Sequence, residues 1–489
     1  MSFRPNLILQ TDSYKQYHWT MRIHDTTRNY SYLSSRIGAK HAWNTAVGLQ
    51  YYLKEYLEGP RVTRADIEEA LDYLRAHFKY PQLNPMWSHI VETYGGRLPL
   101  RILAWDEGCR VPVGYPTFTV VNTDPRCEAL TNHVEPLLCK VWYPMTVATI
   151  SGYVIAELLK LVRASGGLDI RAQYMLHDFG YRGASSEETA RIGGMAHLVH
   201  GQGTDTMQAM KQAAHYYGAS LQDLASSGVA SEHSIMTAGG PQEEVAIARH
   251  IIETHPDQTI SLVADSYDYY AFVDAMIDLK PVVDQHRVKL VIRPDSITPQ
   301  HPDPRDLVLW TLNRYMARMP FTTTPTGHRE TPYSVMWGDG LVPDRIIDIA
   351  TAVVVNGFAA HNTIYGMGGG LLQKVDRDTE RFAMKSSAQE RDGQWVKVQK
   401  NPLDTSKASL AGRLQVVNLM GHDDIVPEEQ WANPEDPRVR LKPVFENGVI
   451  LRQHTFEQVR ARARAYASIG TLERFSDLEA TGPRINSTE

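Results

Sequence analysis

Residues 288–296 read VKLVIRPDS. Val288, Leu290, Val291 and Ile292 make a nearly continuous apolar run, the pattern of a strand covered on both faces. The run stops on Arg293, Asp295 and Ser296. Such a strand suits an α/β fold, where ligands bind at the carboxyl ends of the strands. Six further stretches share the form: a small or apolar run, then polar residues and often glycine. They are YMLHDFG ending at Gly180, LVHGQGTD at Asp205, VASEH at His233, ISLVADS at Ser266, VMWGDG at Gly340 and IYGMGGG at Gly370. Most lie about thirty residues apart, near the ~31 residues per unit of a 250-residue eightfold barrel.

Helix-like segments fall between them. SSEETARIGG carries a capping-box pattern, Ser185 with Glu188. PQEEVAIARHIIETH opens on proline, and Val245, Ala248 and Ile252 predict one apolar face. PDRIIDIATAVVVNG opens on proline and stops at Gly357. The Thr- and Pro-rich stretch from Pro320 to Pro332 reads as a long loop. Residues 96–122 and 393–453 differ, being β-branched and proline-punctuated without strand–helix alternation. The expected fold class is therefore α/β: an irregular TIM-like α/β barrel over residues 145–378. A second, β-rich α+β domain is expected from residues 1–144 plus 379–489.

With 489 residues the chain is long enough for two domains, and 43% hydrophobic with 22% charged residues is a globular composition. The net charge of −6 offers no general attraction to nucleic acid or anionic lipid, so any basic site must be local. No apolar stretch reads as a membrane span, and the start, MSFRPNLILQTDSYK, does not read as a signal peptide. Cys109, Cys127 and Cys139 form no CxxC pair. A sparse, odd set fits a reducing compartment, so the expected location is the cytoplasm.

The strand ends bring His177, Asp178, Arg182, Asp205, Glu232, His233, Asp265, Arg293, Asp295, Asp339 and Gly368 to Gly370 to one rim. Any one of these could be a cap or turn residue; the whole set reads as a site. Glycine lets backbone N–H groups approach a phosphate closely, and a late phosphate site is a habit of such barrels. GMGGG is followed by Lys374, Arg377, Arg381 and Lys385, with Lys400, Lys407 and Arg413 beyond. Four cations beside a glycine loop, in an acidic chain, predict a polyanionic substrate. Carboxylates next to such a cluster predict magnesium, which binds through one or two carboxylates plus substrate oxygens. No HExxH or GxxxxGK[ST] motif is present, which disfavours a zinc hydrolase and a P-loop NTPase.

TDSYK, NTDP, WYPMTVAT, HDFGYRG, GTDT, SEHS, DSYD, IRPDS, GDG and GGGLLQK occur in this order between about residues 6 and 450. As an ordered set they closely resemble the nicotinamide phosphoribosyltransferase family. The resemblance implies a type II phosphoribosyltransferase fold. It also implies transfer of phosphoribose from phosphoribosyl pyrophosphate to nicotinamide, with magnesium required and ATP hydrolysis coupled through a phosphorylated histidine. A head-to-tail homodimer with active sites at the subunit interface is implied as well.

Carried onto this chain, the resemblance puts the pyridine ring between Phe179 and Tyr14, the latter from a second copy. It places Arg182 and Asp205 at the carboxamide. An ionised Asp205 would accept from the amide and repel nicotinate. Asp12, Arg293 and Asp295 are implied near ring and ribose, and Gly338 and Asp339 at the ribose hydroxyls. Gly368 and Gly369 are implied at the 5′-phosphate. Arg36, Lys374, Arg377, Lys385, Lys400 and Lys407 are implied around pyrophosphate. His233 matches the phospho-accepting histidine, with Glu232 expected to set its tautomer. Asp295 would favour the positive ribose, and Asp265 and Asp295 are the expected magnesium contacts. Met367 and Ala383 depart from the usual pattern, which has small hydroxyl residues there. Three rivals remain open: nicotinate phosphoribosyltransferase, a binding protein on the same scaffold, and a metal-dependent barrel hydrolase.

Overall fold

The computed structural model describes residues 5–400, 408–431 and 433–469. The chain divides into two compact units, residues 1–149, 215–218 and 376–489 in one, and 150–214 and 219–375 in the other.

The second unit is a mixed α/β fold on a seven-stranded sheet. Its strands are β1 (Leu176–Asp178), β2 (Gly203–Thr204), β3 (Val229–Ala230), β4 (Thr259–Val263), β5 (Lys289–Arg293), β6 (Ser334–Trp337) and β7 (Thr363–Met367). The order across the sheet is β2-β1-β7-β6-β5-β4-β3, and every pairing is parallel. The sheet curls until its two edges meet. Ser226, just ahead of β3, bridges Gly203 of β2 in parallel. The Ser226 N–H donates to the Gln202 carbonyl at 2.6 Å, and the Thr204 N–H donates to the Ser226 carbonyl at 3.1 Å.

Each of the seven stretches singled out in the sequence is one of these strands, with its polar residues following it. Leu290, Val291 and Ile292 of β5 are all buried, as are Ile260, Leu262 and Val263 of β4. Full burial of such side chains stabilises by about 1.5–3 kcal/mol each. The helix Pro343–Val355 has proline in its first turn and buries Ile346, Ile349, Ala350 and Val353, one face at helical spacing. Gly357 follows with φ +78°, the left-handed conformation that ends a helix cheaply.

Three local expectations need correction. Ser186, not Ser185, caps the helix Glu187–Leu198, its hydroxyl accepting from the Thr189 N–H. The helix expected from Pro241 begins at Glu244, and Val245 in its first turn is 37% exposed while Ala248 and Ile252 are buried. The 320–332 stretch holds a short antiparallel ladder, Thr322–Thr323 with Arg329–Glu330, inside the expected loop.

The first unit carries a separate seven-stranded sheet, in the order 394–397, 383–391, 26–34, 118–122, 100–104, 442–446 and 449–450. All its pairings are antiparallel. Tyr32 faces both Lys385 and Thr119 across neighbouring strands. One run, Glu135–Ala164, does have the length and apolarity of a membrane span, contrary to the sequence expectation. Its apolar window is 78% buried within the protein, so packing against the chain accounts for its hydrophobicity.

Candidate active site

The parallel sheet encloses a cavity of about 620 Å³, within the range of small-ligand sites. It runs from Lys289 at the start of β5 to Arg293 at its end, and Phe179, Asp205, Ser227 and His177 also line it. Phe179 follows β1 directly. Its N–H donates to the Met367 carbonyl of β7 at 3.2 Å, and its half-buried ring lies over Gly366. A Cβ at Gly366 would stand 2.1 Å from Cε2 of that ring, so β7 needs glycine here for a packing reason. The glycine run therefore seats an aromatic platform as well as forming a loop. Gly368 precedes the helical turn Gly369–Leu372, and a Cβ on Gly369 would meet only Cβ of Gln373, at 4.0 Å. Open space of that kind is what a phosphate approaching backbone N–H groups requires. Met367 itself is buried.

Asp178, at the end of β1, ties the surrounding groups together. Its Oδ1 accepts from the Gly180 N–H at 2.7 Å, which shapes the turn carrying Phe179 and the exposed Arg182. Its carbonyl accepts from the Asp205 N–H at 3.0 Å. Burial raises the Asp178 carboxyl to about 6, and the Asp205 charge adds to the rise. Burial likewise pushes the His177 imidazole down to about 4, against the pull of Asp205. His177 is therefore neutral at pH 7, a dipole on the cavity wall rather than a cation.

On the other side of the rim, Arg293 donates through Nη2 to the Ser231 carbonyl at 2.9 Å and lies 3.8 Å from Asp295. Its buried Nε has no hydrogen-bond partner among the described residues. That Nε is the atom 3.8 Å from Asp295 Oδ1, too far for a hydrogen bond, so a ligand acceptor could still satisfy it. Gly338 lies between the two sides: a Cβ there would be 3.5 Å from Phe179 and 3.7 Å from Asp295 Oδ1. Asp339 is exposed, and its carbonyl accepts from the Trp337 indole at 2.8 Å. Lys374 is exposed beyond the glycine run.

His233 does not use the neighbour expected for it. Glu232 receives the Ser234 hydroxyl at the start of the one-turn helix His233–Met236. The His233 Nε2 instead lies 3.2 Å from Asp265 Oδ1, whose other oxygen accepts from Ser296 at 2.6 Å. The cause is topological. Asp265 follows β4, which pairs with β3, so its carboxylate arrives beside the residue that follows β3. Half of the His233 side chain remains exposed.

The first unit holds Asp12 and Tyr14, both exposed, in the helical segment that follows Thr11. It also gathers four cations. Burial pushes the Lys385 ammonium down; Glu135 opposes this, and Arg36, Lys400 and Arg377 add to it. These four therefore share one field. Lys407 lies outside the described residues. A different group, His89, Asp124 and Cys127, has the spacing of metal ligands among the described residues. His89 is bonded to Asp124 at 2.6 Å, Asp124 caps the turn at Arg126, and burial raises the Cys127 thiol to about 12. That is a closed hydrogen-bonded cluster with a protonated thiol.

Comparisons with known proteins place the chain in a family. The nicotinate phosphoribosyltransferase family profile matches residues 174–449, and the N-terminal-domain profile of nicotinamide phosphoribosyltransferase matches residues 6–102. A nicotinamide phosphoribosyltransferase from Xanthomonas campestris is 37% identical, over 95% of this chain and 99% of its own length. The chain belongs to the nicotinamide phosphoribosyltransferase family. Two solved structures share the fold at 14% identity. Nicotinate-nucleotide pyrophosphorylase from Pyrococcus furiosus has a TM-score of 0.59, covering 98% of this chain and 99% of that one. Human nicotinic acid phosphoribosyltransferase has 0.56, covering 94% of each chain.

Within this family member, sequence reasoning missed two contributors to the site, Gly366 under the ring and Ser227 on Asp205, and did not foresee that Asp178, which it set on the rim, ties two walls together. Asp178 was legible as a charged strand end. Ser227 carried no signal, since it sits in ASSG with no apolar run to mark it.

Proposed function

We propose that this enzyme transfers the phosphoribosyl group of phosphoribosyl pyrophosphate to nicotinamide, giving nicotinamide mononucleotide and pyrophosphate in NAD salvage. The observation that carries the choice of base is Asp205 in the cavity beside Phe179. Phe179 offers a flat apolar face for the pyridine, and Asp205 offers an acceptor to the carboxamide N–H₂. Nicotinate in the same pose would oppose two carboxylates, which favours nicotinamide over the nicotinate reading. Tyr14 from a second copy would cover the other face of the ring, in a homodimer. Arg293 offers its open Nε to the bound substrate.

The transfer needs no protein nucleophile. The bond from C1′ to pyrophosphate breaks, positive charge develops on the ribose, and the pyridine nitrogen forms the new bond to C1′. The protein orients the two substrates and stabilises charge. Asp295 faces the developing cation. Arg36, Arg377, Lys385 and Lys400 receive the pyrophosphate. Gly338 and Asp339 would hold the ribose hydroxyls, and Gly368 and Gly369 the 5′-phosphate. Asp295 is the better of the two expected magnesium contacts, because both oxygens of Asp265 are already engaged by His233 and Ser296. Magnesium would neutralise charge on the leaving pyrophosphate.

ATP coupling belongs to the same proposal. His233, half-exposed on the rim, would take the γ-phosphate, and Asp265 rather than Glu232 would orient its ring. We further read residues 1–144 with 379–489 as a β-rich second domain, the parallel sheet as an irregular barrel, and the enzyme as cytoplasmic.

Initial rates with phosphoribosyl pyrophosphate and magnesium test these readings, comparing nicotinamide with nicotinate, with and without ATP. Asp205→Ser should lower the preference for nicotinamide about a hundredfold; an unaltered ratio puts selectivity elsewhere. His233→Ala should keep basal transfer and lose ATP stimulation. Unchanged ATP dependence removes the role given to His233.

A further inference from the structure

Ser227 is held in place more firmly than its exposed position suggests. Ser226 before it is bonded at both its N–H and its carbonyl, to Gln202 just ahead of β2 at 2.6 Å and to Thr204 of β2 at 3.1 Å. Gly228 after it packs so closely on β4 that a Cβ would stand 2.8 Å from the Thr259 carbonyl oxygen. Between these anchors the Ser227 hydroxyl donates to Asp205 Oδ1 at 2.7 Å. The Asp205 main chain is fixed in turn by its N–H bond to the Asp178 carbonyl at 3.0 Å. Asp205 Oδ2 receives no hydrogen bond from a described residue, and both side chains line the cavity beside Phe179.

We propose that Ser227 is a positioning residue for base discrimination, aiming the Asp205 carboxylate so that Oδ2 meets the carboxamide. The chemistry is directional. A hydroxyl has one proton to give, and here Asp205 takes it. The bond fixes the carboxylate rotation and leaves one oxygen as the acceptor for an N–H₂ group. It also commits the Ser227 hydroxyl proton to Asp205 rather than to a second carboxylate. Nicotinate would instead set its carboxylate against an oxygen that has no proton to give. The inference rests on the reading of Asp205 as the carboxamide acceptor.

The test is steady-state kinetics of the full-length enzyme with both bases, for Ser227→Ala, Ser227→Thr, Asp205→Ser and the Ser227→Ala/Asp205→Ser double variant. A hydrogen bond to a charged group of this kind predicts about a tenfold loss of nicotinamide preference in Ser227→Ala. The loss should fall on KM for nicotinamide with kcat nearly unchanged. Ser227→Thr, which keeps the hydroxyl, should restore the ratio, and the double variant should match Asp205→Ser alone. Equal losses with both bases would mean a merely structural role and would overturn the proposal, as would additive effects in the double variant. If Asp205→Ser shifts the ratio and Ser227→Ala does not, only the role of Ser227 falls. If Asp205→Ser leaves the ratio unchanged, the Asp205 reading falls and this inference with it.

Discussion

In the parallel sheet, the site groups stand just past the strands that position them: Phe179 and Asp205, which line the cavity, directly after β1 and β2, and Asp265 and Asp295 two residues beyond β4 and β5. In the unit with the antiparallel sheet, Lys385 and the three cations that share its field come from distant parts of the chain, Arg36 from one end and Arg377, Lys385 and Lys400 from the other. The first arrangement is local and repetitive, so each strand contributes one residue set and packing of the strand fixes it. The second depends on strand 26–34 pairing with strand 383–391 across the whole sequence. The consequence is a difference in how each site should fail. Damage to the parallel sheet's site should be sharp and geometric, while damage to the cation cluster should be graded and electrostatic.

The sharpest challenge to that contrast is Gly366→Ala. Its added methyl occupies the space of the Phe179 ring, with contacts of 2.1 and 2.2 Å that force the ring to move. Overpacking at this level costs up to about 3 kcal/mol, so kcat/KM for nicotinamide should fall about a hundredfold. Loss of less than about threefold by steady-state kinetics would show that the platform is not geometrically critical. Lys385→Ala should act more gently. It should raise KM for phosphoribosyl pyrophosphate about tenfold, less so at high salt, because three cations remain to share the load. A salt-independent loss of kcat would instead mark Lys385 as a geometric element, and the contrast would disappear.

The smallest effect concerns stability. The Asp178 carboxyl is raised to about 6 in the folded protein, chiefly by burial. A raised carboxyl in the native state means that the folded protein holds its proton more tightly than the unfolded chain. Its contribution to stability is therefore present at low pH and is lost as pH rises between about 4 and 6. Asn in its place can still accept from Gly180 and does not titrate. From pH 4.5 to 5.5 the wild type should lose about 1 kcal/mol relative to Asp178→Asn in urea unfolding. Parallel pH profiles of the two proteins would contradict the burial argument.

Much of the parallel sheet could be read from the sequence because a strand covered on both faces must be apolar throughout, and because its polar tip follows at once. VKLVIRPDS states both facts in nine residues. What could not be read were relations between strands. That Asp265 rather than Glu232 would reach His233 depends on β3 lying beside β4. That Gly366 serves Phe179 depends on β7 lying beside β1. The one-residue shift of the cap to Ser186 has a smaller cause, since two adjacent serines offer the same chemistry. The cations of the first unit were legible as a cluster only after GMGGG. Arg36, far upstream, became visible through the family resemblance alone.

The seat of Phe179 has one more consequence. Behind most aromatic platforms stands another side chain, which yields by changing rotamer. Behind this ring stands the main chain of Gly366, a residue paired with His177 in the middle of the sheet. Such a backing gives way only if the ladder itself breaks. On that side the slot is a fixed stop, so its thickness cannot adapt to its occupant. A competitive inhibitor that is thicker than a single flat ring gains nothing by pressing into it, whereas one that lengthens along the cavity toward Lys289 meets open volume. The shape rule for inhibitors of this enzyme is thus thin at the head and long in the tail.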